Sequence, residues 1–319
     1  MEIAAAERHP KKHPGKSRAL QSLQKDFRMH KFLYLLALPV VAYYIIFHYV
    51  PMYGIVIAWK DYSPMRGILG SDWAGWVNFK DLMTDPIFGR SVRNTILLNV
   101  YGLLWGFPAP IVLALLLNEL GGKWFKKITQ TVTYLPHFIS VMVIVGMIVD
   151  FSATDGIFND FLVKFGAQRC NLLTKPELFR TIYISTGIWQ GIGFGSIIYL
   201  AALSGINPEL YEAAVIDGAG RWKQMLHVTL PGIAPTIIIM LILRMGRIMS
   251  VGFDKVFLMY NPLTYETADV ISTYVYRIGL VNGSYSYSTA VGLFNSIINC
   301  LMLVLANKVS KMVTETSLW

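Results

Sequence analysis

The stretch "NPELYEAAVIDGAGRWKQMLHVTLPG", residues 207–232, lies between two strongly apolar segments yet carries Glu209, Glu212, Asp217, Arg221, Lys223 and His227. Its pattern is helical. Asn207 followed by Pro208 is a helix start, a side chain that accepts from the first free N–H groups and then a residue with no N–H to lose. Glu209 falls in the first turn, where the helix dipole favours an anion. Gly218 and Gly220 are expected to end that helix by permitting a left-handed backbone. A second short helix, from about Arg221 to Val228, is then expected to close at Leu230-Pro231, because proline cannot continue it. The spacing therefore predicts a helix, a glycine bend and a helix at a membrane surface. Ala213 and Ala214 beside Glu212 leave a face with little bulk and one charge, which suits the close approach of another protein's backbone. That is docking chemistry rather than catalysis; a packing loop without a partner is the plainer alternative.

The composition of the chain supports the membrane setting. Of 319 residues 54% are hydrophobic and only 15% charged, against about a quarter charged in an ordinary soluble domain. An all-α, polytopic membrane protein is the class this implies. A window of about 20 residues, the span of a bilayer core, marks six spans at approximately 32–58, 94–117, 129–149, 181–203, 232–251 and 289–306. The first is read as an uncleaved anchor kinked by Pro39 and Pro51. Residues 1–31 form a basic tail, within which 17–31 reads equally as an amphipathic helix on the inner leaflet or as a solvated segment; residues 32–319 form the six-helix transmembrane domain. Cys170 and Cys300 have neither CxxC nor Cys/His spacing, so no disulfide scaffold or metal site is indicated.

Alternate sides of the membrane differ in charge. The segments 1–31, 118–128, 204–231 and 307–319 hold 15 Lys/Arg against 8 carboxylates, whereas 59–93, 150–180 and 252–288 hold 11 of each. The positive-inside tendency places both termini and residues 207–232 in the cytoplasm. The net charge of +9 flanks membrane spans without a basic-aromatic motif, so anionic lipid is the expected partner and nucleic acid is not.

Glu212-Ala213-Ala214, three residues, Gly218, nine residues, Val228, one residue and Leu230-Pro231 together resemble the EAA loop of the membrane subunits of binding-protein-dependent ABC importers, E-A-A-x3-G-x9-I-x-L-P. Val228 for isoleucine is the one departure. The stretches 35–62, 94–119, 133–140, 189–206 and 270–299 and the ending Ser317-Leu318-Trp319 are similar to the carbohydrate-uptake branch, specifically its polysaccharide and oligosaccharide importer permeases. The resemblance implies half of a heterodimeric permease in a bacterial inner membrane, paired with a second homologous permease, two cytoplasmic ATPase subunits and an extracytoplasmic solute-binding protein. It also implies that Glu212, Ala213, Ala214, Asp217, Gly218, Arg221, Val228, Leu230 and Pro231 couple to the ATPase. No G-x-x-x-x-G-K-[ST] phosphate cradle occurs in the sequence, "ELGGKWFKK" at 119–127 lacking both spacing and Ser/Thr. The chain itself is then expected to bind no cofactor, ATP and Mg being held by the partner ATPase.

Polar residues inside the spans mark candidate positions along a substrate path. Gly187, Gly191 and Gly195 recur every four residues and are most simply a close helix contact. Gly292, Asn295, Ser296 and Asn299 form one polar stripe, for interhelical hydrogen bonds or for cavity lining. Trp189 and Gln190 combine a flat apolar ring with an amide, as a sugar requires, although Trp189 also suits packing. Arg244 and Arg247 lie three apart in the fifth span, where a central arginine costs roughly 2.5–3.5 kcal/mol. Either they are held structurally, by an ion pair with Asp150 or Asp254 or by a helix-cap bond, or Arg244 faces the cavity and draws an acidic, uronate-containing oligosaccharide by two parallel hydrogen bonds; a neutral oligosaccharide is the other substrate reading. The outer-loop aromatics Trp73, Trp76, Tyr260, Tyr265, Tyr274, Tyr276, Tyr285 and Tyr287 read as an interfacial belt or as a landing surface for the binding protein. An enzyme would need more than His137 and Ser140 at i, i+3, since no GxSxG or HExxH is present. An ion-gradient-driven secondary transporter is the alternative on composition, but it has no use for residues 207–232.

Overall fold

A computed structural model describes residues 29–314 and Ser317; the tail expected over 1–31 lies almost wholly outside the described residues. The chain divides into two compact units, residues 1–56 and 57–319. Among the described residues six stretches are long and apolar enough to cross a membrane: Lys31–Trp59, Pro86–Glu119, Val141–Val163, Pro176–Ser204, Arg221–Met245 and Tyr285–Met312. The helices that carry the argument are α1 (Lys31–Trp59), α2 (Pro86–Glu119), α3 (Lys123–Tyr134), α4 (Val141–Ser152), α5 (Pro176–Ser204), α6 (Pro208–Ile216), α7 (Arg221–Met245) and α8 (Tyr285–Thr314). The only strands among the described residues are Lys60–Asp61 and Asp72–Trp73, which pair antiparallel as one small ribbon. The protein is all-α and multi-pass.

In the first unit, no residue of Lys31–Tyr44 is buried and every face is apolar, as suits a helix surrounded by lipid. In the second, α5 runs along α2 and packs Tyr199 and Leu203 against Ile111, Ala114 and Ile233. A second core gathers Leu98, Ile144, Val145 and Phe179 with Val256 and Met259 from the segment after α7. Gly193 sets the closest helix contact. A Cβ there would fall 2.0 Å from the Thr133 carbonyl oxygen, so only glycine lets α5 touch the end of α3.

Three of the spans contain a widened, π-helical turn, and each ends two residues before a proline: Ile45–Tyr49 before Pro51, Gly102–Gly106 before Pro108, and Met225–Thr229 before Pro231. Proline has no N–H for the carbonyl four residues back, and its ring crowds that carbonyl. The carbonyls concerned belong to Phe47, Leu104 and His227, each in the middle of its wide turn. Widening the turn makes room for the ring without breaking the helix.

Several expected boundaries shift for identifiable reasons. The third span, expected over 129–149, is broken. Leu135–Phe138 form a 3₁₀ turn around Pro136, Ile139 and Ser140 are extended, and Ser140 Oγ then caps α4 by accepting from Val143 N at 3.4 Å. The fifth span does not run to 251. It ends at Met245, where Asn299 of α8 accepts from Met249 N at 2.9 Å and donates to Ser250 Oγ at 3.0 Å, holding a turn. A Cβ on Gly246 would come within 2.8 Å of Leu303 Cδ1, so α8 abuts that turn closely.

Candidate functional site: a cationic cavity joined to an exposed loop

The loop begins as its sequence suggests. Asn207 caps α6 by accepting from Glu209 N at 3.1 Å, with Pro208 in the first position. Gly218 has φ +74°, and the Ala219 N–H reaches back to the Ala214 carbonyl at 2.8 Å. Gly220 differs from expectation: its backbone is extended (φ −66°, ψ 166°) and it starts the next helix. That next helix does not stop at Leu230-Pro231. Through the wide turn Met225–Thr229 it continues without interruption into the fifth span, so α7 runs from Arg221 to Met245.

Side chains brace the bend. Gln224 Nε2 donates to the Ala219 carbonyl at 2.7 Å, and the Tyr211 hydroxyl meets Thr229 Oγ1 at 3.1 Å, tying α6 to the wide turn. Beneath them a Cβ on Gly232 would strike Ile206 Cδ1 at 2.8 Å. Glu212, Ala213, Asp217 and Arg221 are exposed, Ala214 and Val228 half-buried. Leu210, Val215, Ile216, Trp222 and Leu226 are also exposed, Ile216 to 85%. No ion pair among the described residues uses Glu212.

At the other end of α7 lies a cavity of about 670 Å³ between α2, α5 and α7. Arg244, from the last turn of α7, and Arg247, from the turn beyond it, both line it, as does Lys255 from the short helix Phe253–Met259. None of the described residues lining it is an Asp or a Glu. Asp150 and Asp254, the carboxylates within reach in the sequence, are exposed, and no ion pair among the described residues takes either arginine. Lys255 Nζ donates to the Tyr183 carbonyl at 3.0 Å and stands 4.8 Å above the Tyr183 ring. Lys255 lies outside the spans in sequence, and burial pulls its ammonium down to about 8. Gln190, Tyr183 and Tyr199 add hydroxyl and amide groups to the wall.

The glycine stripe of α5 has a different use from the one expected. Gly187, Gly191 and Gly195 line this cavity; Gly191 has open space where a Cβ would be, and a Cβ on Gly187 would sit 3.5 Å from Lys255 Nζ. Gly195 alone of the three meets a neighbouring helix, 3.1 Å from Pro110 Cγ. Trp189, proposed as a sugar platform, is outside the lining set and 46% exposed. Asn295 lines a separate apolar cavity of about 510 Å³, and Asn299 spends its amide on the turn after α7, so neither joins the cationic wall. His137 and Ser140 do not meet as a dyad. The imidazole stacks on Phe194 with centroids 4.0 Å apart, while Ser140 caps α4. Among the aromatics, Tyr274 is 1% exposed and, with Tyr287, donates to Asp85, which makes it a structural clamp rather than a surface. Trp73 and Trp76 are exposed.

Known proteins resemble this chain over nearly all its length. The polygalacturonan/rhamnogalacturonan transport system permease protein YteP of Bacillus subtilis is 45% identical over 290 residues, covering 91% of this chain and 90% of that one. Protein LplB of the same bacterium is 43% identical over 301 residues, covering 94% and 93%. A crystal structure of a bacterial ABC transporter involved in the import of the acidic polysaccharide alginate matches with TM-score 0.85 and 44% identity, over 92% of this chain and 99% of that one. The alginate ABC transporter in complex with an alginate pentasaccharide-bound periplasmic protein matches with TM-score 0.86 and the same 44% identity, over 93% and 99%. Residues 106–311, from the wide turn in α2 to the end of α8, match the family described as binding-protein-dependent transport system inner membrane component, and to that family of permeases the chain belongs.

Proposed function

We propose that this permease subunit forms half of the pathway of an ATP-driven importer for acidic, uronate-containing oligosaccharides, and that residues 207–232 are its coupling element. The observation that carries the substrate is the cavity wall, where Arg244, Arg247 and Lys255 face a shared space with no carboxylate among its lining residues. A uronate is ionised at neutral pH and offers a planar pair of oxygens that a guanidinium fork matches with two hydrogen bonds. Gly191 leaves the α5 backbone bare beside it, giving a sugar ring room to lie close. The relatives that handle polygalacturonan and alginate, both acidic polymers, support the same class.

Coupling follows from the unbroken α7. At 1.5 Å per residue, Arg244 sits about 30 Å along the same helix from Gln224. A partner ATPase that grips Glu212 and the alanines of α6 moves a braced unit, and the Tyr211–Thr229 and Gln224–Ala219 contacts pass that movement to α7. The complex then comprises this chain, a second homologous permease, two ATPase subunits that hold ATP and Mg, and an extracytoplasmic binding protein, with both termini and the loop in the cytoplasm of a bacterial inner membrane and anionic lipid around the basic flanks. An ion-gradient-driven mechanism has no observation in its favour.

The test is the complete complex in proteoliposomes with oligouronates and their carboxyl-reduced, neutral counterparts. The acidic form should stimulate ATP hydrolysis and be taken up. Arg244→Gln should raise the KM for it by about 10- to 100-fold, the loss of one charge-assisted hydrogen-bond pair, and leave basal ATPase intact. Glu212→Lys should leave substrate affinity unchanged and abolish the stimulation. Equal uptake of acidic and neutral forms by the parent would overturn the substrate class; full stimulation in Glu212→Lys would overturn the coupling role.

A further inference from the structure

A second cavity, about 450 Å³, adjoins the first. The two share Ile184 and Ile188 of α5 as a common wall. They also divide this part of α2 between them: Gly102 and Gly106 of the wide turn line the cavity of Arg244, while Trp105 of the turn and Tyr101 just before it line the other. The remaining wall is the N-terminal end of α5, with Glu177, Arg180 and Ser185.

Arg180 is positioned but not neutralised. Its Nη2 donates to Asn94 Oδ1 at 2.9 Å. Asn94 is 1% exposed and is itself fixed by donating to the carbonyls of Glu266 at 2.9 Å and Asp269 at 3.1 Å. Arg180 Nε is buried and has no hydrogen-bond partner. Glu177, one turn away, is the only carboxylate lining this cavity, and no ion pair among the described residues joins it to Arg180. Trp105 is 67% exposed, a flat apolar ring beside a fixed guanidinium. These are the two features a charged sugar ring requires, a face to stack on and a fork for its carboxylate.

Resting on the acidic-oligosaccharide reading, we infer that Trp105 and Arg180 form a second uronate subsite, which holds a further residue of the same sugar chain once another occupies the cavity of Arg244. A chain of linked sugars is longer than one cavity, and Ile184 and Ile188, on which the wide turn of α2 packs, line both. Glu177 stands as a like charge at this subsite and limits it to one carboxylate at Arg180.

Chain length separates this from a general structural role. In the complete complex, transport kinetics are compared for an oligouronate of two units and one of four, with Arg180→Gln and Trp105→Ala. Arg180→Gln should raise the KM for the longer substrate about tenfold and leave that for the shorter one unchanged; Trp105→Ala should do the same to a smaller extent. Should Arg180→Gln fail to assemble, Trp105→Ala and Arg180→Lys carry the comparison. Variants that affect both lengths alike, or neither, overturn the subsite while leaving the acidic-sugar reading standing. A parent complex that transports neither oligouronate removes that reading itself.

Discussion

Two groups of cations in this protein have opposite surroundings. Around Asp269, which is fully buried, Arg277 makes a two-pronged contact at 3.2 and 2.5 Å, Arg90 lies at 4.0 Å, and Thr273 donates at 2.9 Å. Around the α7 cavity, Arg244, Arg247 and Lys255 have no carboxylate in the wall at all. The first group has its counter-charge within the chain. The second has no internal counter-charge: Arg244 and Arg247 are open to the cavity and Lys255 is half-buried beside them, which leaves the place of an anion to the substrate proposed above.

The strongest way to break this contrast is to remove the internal anion. Asp269→Asn leaves Arg277 half-buried without its counter-charge, and the loss of one partner of a buried pair costs about 3–5 kcal/mol. The purified complex should melt at markedly lower temperature and yield less protein, whereas Arg244→Gln should melt as the parent does. Equal melting of Asp269→Asn and the parent would erase the distinction. A smaller effect comes from pH. Because burial holds the Lys255 pKa depressed to about 8, its charge is present below about pH 7 and is lost as pH rises through 8. Uptake of oligouronate should fall by about threefold between pH 7 and 9, the size of one partly screened charge interaction, and Lys255→Arg should flatten the profile. A profile identical in parent and Lys255→Arg would remove Lys255 from the cationic wall. Smallest is Trp189→Ala, which lies outside both groups and should leave uptake within about twofold of the parent.

What the sequence revealed was local. Asn207-Pro208 and Gly218 carry their backbone preferences with them, so the helix, the bend and the second helix of the loop were readable in order. The arginines of the cavity were also readable, because a charge in an apolar run is anomalous wherever the chain folds. The continuation of α7 through Pro231 was not, since it depends on a widened turn that a proline alone does not foretell: Pro39 and Pro235 sit inside ordinary α-helix. Lys255 was missed because it lies beyond the span, and only the return of the short helix Phe253–Met259 against α5 brings it to Tyr183. One signal was available: it is the single lysine in the apolar run "VGFDKVFLMY", residues 251–260. The glycine stripe was recognised as special, but only Gly195 makes the helix contact expected of it, against Pro110, because spacing shows that residues share a face without saying what that face meets. The closest helix contact belongs to Gly193, off the stripe.

The widened turn at Met225–Thr229 also fixes which way the arginines point. A π turn holds one residue more than an α turn, so it acts as a phase shift between the loop and everything after it. Were the turn to close into ordinary helix with every residue kept, all that follows would rotate by one helical step, about 100°. Arg244 and Arg247 would then swing off the cavity while every side chain in α7 survived. The same holds for Gly102–Gly106, whose extra residue sets which of Tyr101, Gly102, Trp105 and Gly106 faces which chamber. The prolines at 51, 108 and 231 therefore act as clocks as well as kinks, each keeping its helix in the angular register that the downstream residues need.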